Sequence, residues 1–178
     1  MKKNKIMGEV NMQEIFTRRS IRKFTNQAVE PEKIDKLLRA AMQAPSAANQ
    51  QAWEFIVVQD KQKLAQVAET SPYAKPAAGS AVTFILLADE KKMKIPTGWE
   101  EDMGAAAENM LLEAVHLGLG GVWFGVATAA PVAENVSKLF GLPANIRPFA
   151  LISVGYPDGQ KNQFVDRYQP ERVHYEHW

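Results

Sequence analysis

Arg18-Arg19-Ser20-Ile21-Arg22-Lys23-Phe24 and Ala44-Pro45-Ser46-Ala47-Ala48-Asn49-Gln50-Gln51-Ala52-Trp53 are the two stretches on which the reading of this chain turns. The first sets four cations and one hydroxyl within seven residues, straight after a short helical pattern. Three guanidinium groups and an ammonium so close together repel one another unless an anion lies among them. Arginine forks take phosphate oxygens in pairs, and a serine hydroxyl adds one more partner. The second stretch is a polar loop of small residues, rich in backbone N–H donors and side-chain amides. It suits the edge of a planar heteroaromatic group. The plain alternatives are a basic helix end favoured by the dipole and an ordinary surface loop.

Outward from these stretches the chain alternates helix and strand. Asn11 to Arg18 reads as a short helix. From Pro31, the residues Ile34, Leu37, Leu38 and Ala41 recur at helical spacing, and the helix must stop before Pro45. Strands are predicted over Trp53–Gln59, Ala81–Ala88, Val122–Val126 and Phe149–Gly155. The apolar run at Ala81–Ala88 has the pattern of a central strand buried on both faces. Helices are predicted over Lys61–Thr70, Glu100–His116 and Pro131–Phe140. The resulting order, ααβαβαβαβ, gives a sheet covered by helices. Pro157 to Trp178 has no period of its own, yet it carries Phe164, Tyr168, Val173, Tyr175 and Trp178. Burial of that apolar surface against a second subunit is expected.

The two stretches, taken with two others, resemble the signature of the FMN-dependent nitroreductase family. Its members run from Arg-Arg-Ser-x-Arg-x-Phe to Pro-Ser-x-x-Asn-x-Gln-x-Trp. Here Gln51-Ala52-Trp53 stands where many members have Gln-Pro-Trp. Leu117-Gly118-Leu119-Gly120-Gly121-Val122-Trp123 resembles the family's glycine turn beside the flavin. Asp166-Arg167-Tyr168 and Arg172-Val173-His174-Tyr175-Glu176-His177-Trp178 resemble the tail of its short members. The resemblance spans about Ile15 to Trp178. It implies an α+β fold with a mixed, mainly antiparallel central sheet flanked by helices and a C-terminal tail extending onto the partner subunit. It further implies an intertwined homodimer with FMN at the interface, NADH or NADPH as donor, and nitroaromatics or quinones as acceptors in a ping-pong cycle.

On that resemblance Arg18, Arg19, Ser20 and Arg22 become candidates for the FMN phosphate and pyrimidine edge. A cation at Arg22 beside N1 and the C2 carbonyl would raise the flavin potential. Pro45, Ser46, Ala47 and Asn49 would reach the flavin from the opposite subunit, and Gln51 is either a contact or the start of a strand. Gly120 and Gly121 would let backbone approach the ligand. A dinucleotide fingerprint is excluded there, because a helix precedes the glycines and a strand follows. Arg167 is the tail cation expected at the phosphate, with Lys161 and Arg172 as rivals. Trp123 and Phe124 would wall the flavin or fill the core, and Trp99 and Tyr73 are candidate borders of the acceptor site. Glu100, Glu101 and Asp102 read as an acidic helix start explained by the dipole. No catalytic side chain is expected, since the cofactor supplies the chemistry.

Composition narrows the alternatives. A chain of 178 residues fits one domain, read as 11–178 behind a flexible leader at 1–10. The net charge of +1 offers no bulk attraction for nucleic acid or an anionic membrane. Cysteine is absent, which removes disulfides, thiolate metal sites and a cysteine nucleophile and fits the reducing cytoplasm. His174 and His177 lack a third ligand, so no metal is expected. The competing functions are a dehalogenase or enone reductase of the same fold, a flavin-binding protein without turnover, and a nucleic-acid binder using Arg18 to Lys23.

Overall fold

The apolar run at 81–88 is the centre of the sheet, in a computed structural model that describes residues 12–178. The leader expected over residues 1–10 lies outside the described residues. Strand β1 (Trp53–Val58) and strand β4 (Ile146–Gly155) flank β2 (Val82–Asp89), and β3 (Gly120–Gly125) lies beyond β4. The order is β1-β2-β4-β3, and every pairing is antiparallel. The register between β2 and β4 slips after Leu86, where Leu87 faces Pro148. Proline cannot donate to the ladder, and a bulge is where a central strand tolerates one.

Helices cover both faces of this sheet. On one face α2 (Pro31–Met42) and α4 (Trp99–His116) pack against Phe84, Leu86 and Ile152. On the other, α3 (Lys61–Ala68) and α5 (Ala130–Phe140) pack against Ile85, Leu87 and Leu151. Alternate residues of β2 therefore serve opposite cores, as its period of two requires. In α4 the side chains of Met103, Ala106, Ala107, Met110, Leu111 and Ala114 are buried along one stripe. Burying Met103, Met110 and Leu111 contributes roughly 1.5–3 kcal/mol each.

The predicted elements are all present, with shifted ends. β3 begins at Gly120 instead of Val122, and β4 at Ile146 instead of Phe149. Beyond Pro157 the tail forms only one 3-10 turn, Pro170–Arg172, and lies open: Trp178 is 97% exposed. No helix among the described residues is long and apolar enough to cross a membrane.

The short helix α1 (Gln13–Thr17) is tied to α4 by Glu14 Oε1 and His116 Nδ1, 2.9 Å apart. That hydrogen bond, helped by Glu113, holds His116 above its ordinary pKa, and the same bond holds Glu14 below its own. The raised imidazole contributes fully below its unfolded pKa and loses its contribution as pH climbs past the folded value. The depressed carboxylate contributes above its unfolded pKa and fails in acid. The contact is therefore strongest between about pH 4.3 and 6.5. In an NMR titration His116 should turn over above about 6.5, and Glu14→Gln should bring it down. An unchanged midpoint in that variant would count against the pair.

Candidate functional site

Helix α1 stops at Thr17, and Arg18 is already extended with ψ of 132°. Arg18 is the C-cap, where the dipole favours a cation, whereas Arg19 and Arg22 lie beyond the helix. From Ser20 onward the chain runs beside β3. Ser20 forms a parallel bridge with Gly121, and Ile21 N–H donates to the Gly121 carbonyl at 2.9 Å. Ile21 is 1% exposed because it fills the place of an absent side chain: a Cβ on Gly120 would sit 2.6 Å from its Cγ1. A Cβ on Gly121 would meet Leu111 Cδ2 at 2.8 Å.

The other edge of this segment is held by two side-chain amides. Gln160 Oε1 accepts from the N–H groups of Arg22 (2.6 Å) and Lys23 (3.0 Å). Asn162 Oδ1 accepts from Arg19 N–H at 3.1 Å, while its Nδ2 donates to the Leu119 carbonyl at 3.0 Å. The result is a cleft of about 600 Å³ with Arg19, Arg22, Lys161 and Arg167 on its walls and no carboxylate among the lining residues. Ser20 lies between the arginines. Burial, then the charges of Arg167 and Arg18, lower the pKa of Arg19. One terminal nitrogen of Arg19 donates to the Arg18 carbonyl. The other, Nη2, is buried and finds no hydrogen-bond partner among the described residues.

Arg22 also borders a second cleft of about 540 Å³, whose walls include Tyr73, Trp123, Gly125, Thr128 and Val132. A cationic cavity and a largely apolar one thus meet at one arginine. A planar ligand with an anionic end fits that combination.

The loop after α2 is built differently. Ala48, Asn49 and Gln51 all have positive φ, at 50°, 51° and 47°. Left-handed backbone costs a residue with a side chain roughly 1–2 kcal/mol, so something must hold it. Asp102 does so from α4, its Oδ1 accepting from Ala47 N–H at 2.8 Å. Within one chain this loop lines neither cleft. Asp102 and Leu111, which mark the levels of the loop and the arginine segment, are roughly 13 Å apart along α4.

Comparison with known proteins agrees with this geometry. The family model described as the nitroreductase family matches residues 15–82 and 73–156. This chain belongs to the nitroreductase family. A protein of Archaeoglobus fulgidus, provisionally named an NADH dehydrogenase/NAD(P)H nitroreductase, is 40% identical over 92% of this chain and 96% of its own. The crystal structure of a protein from Clostridium acetobutylicum, provisionally named an NADH oxidase, superposes with a TM-score of 0.92 at 50% identity. That match covers 93% of this chain and 99% of the other. A protein of Desulfovibrio desulfuricans, provisionally described as a nitroreductase and solved in complex with FMN, gives 0.82 at 30% identity over 96% and 99% of the two chains.

In this nitroreductase-family chain the candidate residues separate into four groups. Arg19, Ser20, Arg22 and Arg167 come together, joined by the rival Lys161, whereas Arg172 stays away from the cleft. Arg18 turns aside, its Nε 3.0 Å from Glu108 Oε1. Pro45, Ser46, Ala47 and Asn49 form the separate loop. Gly120 and Gly121 have a packing reason of their own: the turn is made by Gly118, at φ +76°, and the other two open β3 with both Cβ positions taken by neighbouring side chains. Gln51 is no strand start, since β1 begins at Trp53. Trp123 lines the second cleft and also packs edge-on against Phe149 at 5.5 Å.

Gln160 and Asn162 carry no signal in the linear pattern, because their partners are distant in sequence, and Gly125 and Thr128 were not singled out. Asp102 is 7% exposed and hydrogen-bonded to the loop, so the dipole reading of the acidic helix start is incomplete. Gly120→Ala should destabilise the fold by about 1–3 kcal/mol through overpacking. Combined with Ile21→Ala it should cost less than the sum of the two, since the clash disappears. Urea unfolding of both singles and the double decides; strict additivity would remove the packing argument.

Proposed function

We propose that this protein is an FMN-dependent NAD(P)H oxidoreductase acting on nitroaromatics, quinones or similar electron-poor acceptors. The observation that carries the reading is a cleft walled by four cations and no carboxylate, one of them Arg19, whose buried Nη2 has no hydrogen-bond partner among the described residues. A phosphate monoester carries about −1.5 to −2 charge at neutral pH and three acceptor oxygens, and it fits that cleft. Arg19, Lys161, Arg167 and the Ser20 hydroxyl would hold it. Arg22, where the two cavities meet, would stand at the pyrimidine edge of the flavin, and the cleft of Trp123 and Gly125 would take the ring. FMN, when bound, supplies the hydride chemistry between nicotinamide and acceptor. Gln160 and Asn162 hold the backbone N–H groups of Arg19, Arg22 and Lys23, so the arginines project from a fixed backbone before any ligand arrives. The relative solved with FMN supports the same assignment.

The functional unit in this reading is a homodimer in the cytoplasm, with the Pro45–Asn49 loop of one subunit completing the cleft of the other. An open apolar tail supports it. Phe164 stacks on Phe16 of α1, while Ile15, Val165 and Tyr168 beside them stay exposed, as do Tyr175 and Trp178. Apolar surface of that kind usually marks an interface.

The purified protein should be yellow and release about one FMN per chain, identified by mass spectrometry; an adenine-containing flavin would end the assignment. Arg19→Ala should weaken FMN binding roughly tenfold to a hundredfold, as loss of charged hydrogen bonds implies. Arg22→Ala should lower the flavin midpoint potential while FMN still binds. Equal potentials would move Arg22 away from the ring.

Deleting Val165 to Trp178 removes Arg167 and the tail aromatics together. The truncated protein should lose FMN and shift toward monomer or aggregate, followed by light scattering and flavin absorbance on the same samples. A truncated monomer with full FMN occupancy would refute the shared site.

A further inference from the structure

We infer that Asp102 and Gln50 are a positioning pair that sets the Ser46–Gln51 loop in its flavin-contacting shape. The inference rests on the proposed FMN site. Both side chains are buried, at 7% and 6% exposure. Gln50 Oε1 accepts from the N–H groups of Lys94 and Ile95, each at 2.9 Å. Those two donors fix the amide's orientation and turn its Nε2 toward Asp102 Oδ2, at 2.5 Å. Asp102 Oδ1 takes the N–H of Ala47. One carboxylate on a rigid 18-residue helix thus collects the loop at two points, and the amide passes the constraint on to the 94–95 turn.

The polarity of this network has a single solution. Position 102 must accept twice, because it faces a backbone N–H and an amide NH₂. An asparagine there, in either orientation, sets a donor against a donor, and Gln50 cannot rotate without opposing the N–H groups of Lys94 and Ile95. The left-handed residues Ala48, Asn49 and Gln51 lie between or beside the two anchored points, so their conformation depends on the anchors. Ser46, Ala47 and Asn49 are the residues this loop would present to the flavin. Displacing them should weaken FMN binding although neither Asp102 nor Gln50 lines the clefts.

Reversing the polarity restores the fit between positions 102 and 50 and gives up only the long 3.4 Å bond from Gln50 Nε2 to the Ile95 carbonyl. In the double variant Asp102→Asn/Gln50→Glu, the new carboxylate at position 50 accepts from Lys94, Ile95 and the new amide. That amide's oxygen accepts from Ala47. The test is FMN titration of apoprotein by flavin fluorescence, with hydrogen exchange of residues 46–51 on the same proteins without flavin. Thr83→Val is the control for lost stability: it breaks the buried Ser80–Thr83–Ser153 hydroxyl chain, opposite Val58 at the end of β1 away from the loop. Asp102→Asn should bind FMN at least tenfold more weakly and exchange faster at Ala47. The double variant should return within about threefold of wild type, and Thr83→Val should bind normally. Wild-type affinity in Asp102→Asn, no recovery in the double variant, or an equal loss in Thr83→Val would each overturn the inference. Wild-type protein that binds no FMN would instead overturn the proposed function, and the exchange data would still decide whether the pair holds the loop.

Discussion

The insertion of Ile21 into the space left by Gly120 is the contact on which the rest of the site depends. An ordinary side chain at 120 would overlap Ile21, and a side chain at 121 would overlap Leu111. With both missing, the segment after α1 can lie directly on β3, and its backbone pairs with Gly121. Burying Ile21 inward leaves Ser20 and Arg22 facing outward, as an extended chain alternates. The hydrophobic effect thus supplies the free energy that holds mutually repelling cations together. A cluster of like charges on a flexible loop would disperse into solvent; here the backbone beneath it is fixed by an isoleucine and by the amides of Gln160 and Asn162.

Helix α4 distributes that order to the remaining parts. Its apolar stripe faces the sheet, and its polar positions reach elements far apart in the chain. Asp102 holds the loop after α2, Glu108 takes Arg18, Asn109 donates to the Ala40 carbonyl, and His116 meets Glu14. The exposed pairs among these contribute little stability individually. Their value is geometric, because a straight, packed helix gives every one of them a defined height and direction. The buried Asp102 differs in kind: removing its acceptor atoms leaves buried donors without partners, the costly case for hydrogen bonding.

Much of the architecture was legible from residues alone. The apolar run read at Ala81–Ala88 is the central strand covered on both faces, and Ile34, Leu37 and Ala41 share one buried helical face, as their spacing predicted. The charge cluster at Arg18–Phe24 was legible because it is local: the cations are adjacent in sequence and crowd one another wherever the chain goes, with an anion site and a plain basic helix end both open as readings. Gly120 and Gly121 were legible as special but not as to why. A missing side chain records that something comes close and does not say whether it is a ligand or Ile21.

What the sequence by itself determined was therefore the set of elements, a central strand covered on both faces and a dense local cluster of cations. Periodicity and charge density depend only on near neighbours in the chain. Tertiary structure alone decided which cations share the cleft, bringing in Lys161 and Arg167 and turning Arg18 aside to Glu108. It alone joined Gln50 to Asp102, and Gln160 and Asn162 to the arginine segment. Each of those contacts spans 50 or more residues, and a hydrogen bond of 3 Å is set by how the sheet and α4 pack, not by any spacing along the chain.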